Sequence, residues 1–263
     1  MHGIVDKGSG TPVVLIPGLQ GRWEWMRPTV DALAKHYRVI TFSLCDERTS
    51  RFPCDPGKGF DNYLEQVELA LRRASLDQAV ILGVSYGGLI AAEFAARYPQ
   101  RLSGLVLASA LHRTWQPDPR QRRYLKAPRL MSPLFVATAP FRLQPEIVAA
   151  LPSLRARLAF SAWHTARAVL SPTTPLRMAR RIAWAQQHQF ASLRTVKAPV
   201  LIVTGEPALD RVLPVEVTRR YLDEIGSARA VVLEHTGHLG SVTRPDDFAG
   251  LLGRFVDGLR RCA

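Results

Sequence analysis

A chain of 263 residues, 47% apolar and 22% charged, is long enough to bury a substantial core in one large domain. Its ordinary Gly and Pro content excludes a disordered, collagen-like or coiled-coil protein, and no apolar run approaches the roughly 20 residues of a membrane span. Thirty-five basic against 22 acidic side chains leave a net charge of +13.

In chain order, a strand at 12–16 precedes a helix near 27–36, a strand at 38–42 a helix near 61–74, and a strand at 79–82 a helix near 87–97. A strand at 105–107 closes the first half. After residue 198 come a strand at 199–203, a helix near 215–225, a strand at 230–233 and a helix near 245–261. The strands are nearly continuous apolar runs, as expected of strands covered on both faces. Alternation of strand and helix predicts an α/β fold with a doubly wound, mostly parallel sheet.

The middle differs. Residues 112–198 hold 15 basic residues and two acids, Asp118 and Glu146, whereas 1–111 and 199–263 together sum to zero. No strand-like run appears from 117 to 190. Nine prolines from Pro117 to Pro175 divide it into short helical pieces, the clearest at 146–170 and at 175–188 behind a cap at Thr174. The expected organisation is a core of 1–111 and 191–263 with a basic helical cap inserted at 112–190. Arg120, Arg122, Arg123 and Lys126 are its densest basic cluster. They either solvate outer helix faces or attract an acidic substrate or an anionic membrane surface. Nucleic acid is not expected, since no binding module is recognisable.

Three cysteines, Cys45, Cys54 and Cys262, are too few for a disulfide framework. With an N-terminus lacking the pattern of a secretory leader, they predict a cytoplasmic protein.

The chemically informative run is Gly83-Val84-Ser85-Tyr86-Gly87-Gly88. Glycines flank the serine because a sharp strand-to-helix turn brings backbone segments into close contact. Such a turn lifts the hydroxyl above the sheet edge, at the positive end of a helix. A serine nucleophile needs a base, and the base needs an orienting acid. His238 lies in Glu234-His235-Thr236-Gly237-His238-Leu239, where a loop beyond the last strand can swing an imidazole over the sheet edge. His235 shares that loop but stands closer to the strand end. Asp210 and Glu206 are the carboxylates in the loop after strand 199–203. Cys45 is a rival nucleophile that lacks an activating turn and reads as a packed thiol. No zinc spacing, phosphate loop or dinucleotide fingerprint is present, so no cofactor and no metal are expected.

Together these residues resemble the α/β-hydrolase superfamily along the whole chain. Ser85 sits in a turn similar to its nucleophile elbow, and Ser85, Asp210 and His238 follow its order of nucleophile, acid and base. Ile16-Pro17-Gly18-Leu19-Gln20-Gly21 resembles its oxyanion loop, which implies that the backbone N–H groups of Leu19 and Tyr86 hold the oxyanion. The resemblance also implies a cap at 112–190. Two departures stand out: Pro17 occupies a position where the family often has His, and Asp210 lies two residues later than the family acid, at the place held here by Ala208.

The expected activity is carboxylic ester hydrolysis through an acyl-enzyme on a small-molecule ester, anionic or lipid-like. Carbon–carbon bond hydrolysis and a cofactor-free haloperoxidase-like reaction use the same triad. A non-catalytic ligand-binding protein of this fold is the alternative from another class. Trp23, Trp25 and Met26, after the oxyanion loop, and His164 in the cap are the candidates for a substrate pocket, with core packing as the other reading.

Overall fold

The computed structural model describes residues 3–262. Seven strands, β1 (Val5–Lys7), β2 (Pro12–Ile16), β3 (Arg38–Thr41), β4 (Ala79–Val84), β5 (Leu102–Ala108), β6 (Val200–Thr204) and β7 (Ala228–Val232), form one sheet in the order β1-β3-β2-β4-β5-β6-β7. All neighbours pair in parallel except β1 with β3. The core helices are α1 (Arg27–Leu33), α2 (Asp61–Arg73) and α3 (Tyr86–Arg97). Four helices lie between β5 and β6: α4 (Pro119–Lys126), α5 (Pro128–Ala150), α6 (Leu154–Leu170) and α7 (Pro175–Gln187). Beyond β6 come α8 (Val215–Arg219), α9 (Tyr221–Glu224), α10 (Gly240–Thr243) and α11 (Pro245–Cys262).

Successive strand side chains point to opposite faces, so each apolar run feeds two cores. Val13 and Leu15, with Val80, Leu82 and Val106, pack against Val30 and Leu33 of α1 and Phe248, Leu252 and Phe255 of α11. Val14 and Ile16, with Ile81, Leu105 and Ile202, pack against Tyr63, Leu64 and Val67 of α2 and Ile90 and Phe94 of α3. Helices on both faces explain why these strands do not alternate with polar residues. The sheet is doubly wound.

Several expectations are corrected. β1 was not foreseen, because three residues with two exposed side chains carry no apolar pattern; it is held by antiparallel pairing to β3. The last strand begins at Ala228, and its burial is incomplete, as befits an edge. The helix expected near 215–225 is divided into α8 and α9 at Arg220. Within the helical segment, α5 continues through positions 133, 140 and 145; each proline removes one main-chain donor, which a 23-residue helix absorbs. The helix expected at 146–170 is broken after Ala150, and Ser153 caps α6 by accepting the Ala156 N–H at 3.1 Å. Thr174 precedes α7 as foreseen, but without a side-chain cap hydrogen bond.

Three contacts seat this helical segment on loops that leave the carboxyl ends of the strands. Arg181 of α7 reaches the Leu19 carbonyl, Glu146 of α5 the Leu239 amide, and Trp25 the Ser171 carbonyl after α6. Part of the basic excess is spent there: Arg177, Arg180 and Arg181 pair with Asp46 and Glu47 after β3, and Arg113 pairs with Glu224.

Candidate active site

Ser85 joins β4 directly to α3 with φ 56° and ψ −119°, a left-handed backbone unusual for a side chain larger than Gly. The turn is held from both sides: Ser85 N–H donates to Ala108, while the Ser85 carbonyl accepts from Gly88 and Leu111. The two flanking glycines are required by contact. A Cβ on Gly83 would stand 2.3 Å from the Gly87 carbonyl oxygen, and one on Gly87 2.3 Å from that of Ile16. Close packing of α3 on β2 brings Gly18 beside Ser85, where a Cβ on Gly18 would lie 3.4 Å from the Ser85 Cβ.

His238 supplies the neighbouring ring. Its Nε2 is 3.0 Å from Ser85 Oγ and its Nδ1 is 3.3 Å from Asp210 Oδ2. Asp210 Oδ1 accepts from the amides of Val212 and Leu213 at 3.1 and 2.9 Å, which orients its other oxygen toward the ring. Burial by itself raises the Asp210 pKa, but the His238 charge and hydrogen bond and the two amides hold it below the usual carboxylate range. Burial pulls the His238 imidazolium down, yet Asp210 and then Glu146 raise its pKa above the ordinary histidine value.

The rivals fall away. Glu206 accepts the backbone N–H of His235 at 2.6 Å, and the exposed His235 ring faces the same carboxylate at 4.0 Å; the two occupy each other. Asp210 reaches His238 despite its late position because Leu209 and Asp210 both donate to the Glu206 carbonyl, a helical turn that takes up the additional residues. Cys45 is buried, and its thiol is pushed far up by a hydrogen bond with Cys54 and by burial.

The oxyanion loop carries a turn in which Gly21 N–H donates to Gly18 at 2.8 Å, and its end is tied by Leu44 N–H to Gly21 at 2.7 Å. Tyr86 is the first residue of α3, where the helix leaves amides without intrahelical acceptors. Pro17 does not leave the loop unbraced, since Arg181 Nη1 donates to the Leu19 carbonyl at 2.6 Å. Arg181 is fully buried and is held in turn by Asp46 and Glu47 at 2.8 and 2.6 Å. Sequence reasoning passed over this residue as one arginine among many. Glu146 was also passed over as a site residue; buried, it accepts the Leu239 N–H at 2.8 Å. Its rarity in a basic segment was the available signal.

The pocket candidates divide. Trp25 meets the His164 ring edge-on, with centroids 5.0 Å apart, and burial lowers the His164 pKa. Trp23 is half-buried on the same short turn, Trp23–Met26. Met26 is buried and belongs to the core cluster that holds Val30 and Leu33 of α1 and Phe248 of α11, which accords with the core-packing reading.

A family model described as the alpha/beta hydrolase fold matches residues 11–245. The chain belongs to this family. Among curated relatives, this α/β hydrolase is 26% identical to 2-hydroxymuconate semialdehyde hydrolase of Pseudomonas sp. strain CF600, over 95% of this chain and 88% of that protein. It is 25% identical to a putative carbamate hydrolase RutD of Agrobacterium fabrum, over 97% and 96% respectively. Among solved structures, the enol-lactonase from Burkholderia xenovorans LB400 superposes with a TM-score of 0.76 at 22% identity, covering 97% of this chain and 95% of that one. That likeness is one of fold. No described helix of this α/β hydrolase is long and apolar enough to cross a membrane.

Proposed function

We propose that this α/β hydrolase is a serine esterase that cleaves a small carboxylic ester through an acyl-enzyme. The observation that carries this reading is the His238 ring, set between Ser85 Oγ at 3.0 Å and Asp210 Oδ2 at 3.3 Å. Ser85 Oγ attacks the ester carbonyl and its proton passes to His238 Nε2, while the carbonyl electron pair moves onto oxygen. The amides of Leu19 and Tyr86 receive that oxyanion, each such donor contributing about 2.7–4 kcal/mol. Asp210 holds the ring tautomer and stabilises the imidazolium. The carbon–oxygen bond then breaks, His238 protonates the departing alkoxide, and the same groups add water to release the acid. An ester is favoured over an unactivated amide because alkoxide is the better leaving group. No step calls for a cofactor. Residues 112–190 serve as the lid, a role supported by the contacts of Arg181 and Glu146 with the loops around Ser85.

Carbon–carbon bond hydrolysis is the second reading, favoured by the likeness along nearly the whole chain to a protein named 2-hydroxymuconate semialdehyde hydrolase. A fluorophosphonate probe followed by parallel assays on p-nitrophenyl esters and on a vinylogous diketone acid separates these readings. Labelling lost in Ser85→Ala, with ester turnover, supports the esterase. Labelling with diketone cleavage alone moves the assignment to the second reading, and absence of labelling points to a ligand-binding protein.

A further inference from the structure

Of the eleven large apolar side chains left exposed among the described residues, nine lie between Leu130 and Leu176. On α5 they are Leu130, Leu134, Phe141 and Val148; at the helical repeat these fall within about 40° of one another. On α6, Leu154, Leu158 and Val169 fall within about 60°, while the exposed Leu170 ends the helix on another side. Exposure is large: 79% for Leu130, 74% for Phe141 and 72% for Val169. A surface helix of a globular protein ordinarily turns such a stripe inward. Here the inward faces are used otherwise, by Glu146 on α5 against the His238 loop and by His164 on α6 against Trp25.

Exposed bases accompany the stripes. Arg122, Arg123 and Lys126 stand on α4, Arg129 at the start of α5 and Arg155 at the start of α6. Among the described residues none of these five forms an ion pair, unlike Arg177, Arg180 and Arg181. Residues 112–198 contain two acids, Asp118 and Glu146, and Glu146 is buried. Exposed apolar stripes beside unpaired cations call for a partner that is apolar within and anionic at its surface. A second copy of this chain meets only the first requirement, since it brings the same positive charge to the contact.

We propose that the outer face of α5 and α6 docks on an anionic lipid bilayer. The leucines, Phe141 and the valines enter the boundary between headgroups and acyl chains, while the arginines and Lys126 meet lipid phosphates and carboxylates. Docking is peripheral and leaves the inward faces of both helices, and so the Ser85 site, in place. It does not depend on which bond Ser85 cleaves.

The test is co-sedimentation of the full chain with phosphatidylcholine vesicles made with and without phosphatidylserine. Binding is expected to the phosphatidylserine vesicles and to weaken as salt rises, because exposed charges are screened over about 8–10 Å at ordinary ionic strength. The combined variant Phe141→Ser, Leu158→Ser, Val169→Ser is expected to lose about tenfold or more in partitioning, with an unchanged circular dichroism spectrum and unchanged turnover of a soluble ester. Arg122→Gln, Arg123→Gln, Lys126→Gln is expected to weaken binding and flatten its salt dependence. Equal binding to both vesicle types, binding to neither, or full binding by the serine variant overturns the proposal. So does a solution dimer that the serine substitutions dissociate, which would assign the face to a second copy.

Discussion

The guanidinium of Arg181 and the carbonyl of Leu19 are 2.6 Å apart, and this contact ties a helix inserted after β5 to the loop proposed to hold the oxyanion. The guanidinium is fully buried and also meets Asp46 and Glu47, so its fork joins three partners at once. A hydrogen bond on the Leu19 carbonyl restrains the peptide groups around it, and with them the direction of the Leu19 amide.

Arg181→Lys keeps the charge but not the planar fork, and cannot serve all three partners. Its expected effect is a fall in kcat larger than any change in KM. Arg181→Met leaves Asp46 and Glu47 short of their principal buried counter-charge, and breaking such pairs costs about 3–5 kcal/mol. Thermal denaturation should register that loss. Unchanged kcat in Arg181→Lys counts against a positioning role.

Asp210→Asn is expected to lower turnover of an activated ester by about 10⁴-fold while the fold persists, because the amide favours the wrong imidazole tautomer. Glu206→Gln should change turnover little, since Glu206 faces His235. Steady-state kinetics of the two variants decide it, and a reversal of the results transfers the acid role to Glu206.

Activity should rise with pH as His238 loses its proton. Asp210 and Glu146 raise its pKa, so the acid limb of kcat/KM should lie above the free-histidine value of about 6.5. Glu146→Gln removes one negative charge while retaining an acceptor for Leu239. The limb should then move to lower pH, whereas a purely structural Glu146 would leave its midpoint unmoved. A pH–rate profile of both proteins makes the comparison.

Gly87→Ala places a methyl group 2.3 Å from the Ile16 carbonyl oxygen and near that of Pro17. Backbone must shift, separating α3 from β2 and moving Ser85 relative to Leu19. Loss of fluorophosphonate labelling with a lowered unfolding midpoint is expected; full labelling at wild-type stability would contradict the tight packing of this turn.

The doubly wound sheet was legible because strands covered on both faces must be apolar at every position, as Val13 to Ile16 and Val80 to Leu82 are. Ser85 was legible for a local reason: its glycines are demanded by contacts within one strand–turn–helix unit. The sequence also narrowed the base to His238 or His235 and the acid to Asp210 or Glu206. The resemblance already favoured His238 and Asp210; what the tertiary structure adds is the approach of their two loops over the sheet edge, which sets them apart from the exposed pair His235 and Glu206. Arg181 and Glu146 were beyond local pattern altogether. A charge in a basic helical segment reads the same whether it faces water or is buried against Leu19 or Leu239. Likewise, the apolar stripes of α5 and α6 are regular enough in sequence, but periodicity marks only that a face exists; packing decided that the opposite face turns toward Ser85 and leaves Phe141 and Val169 outside.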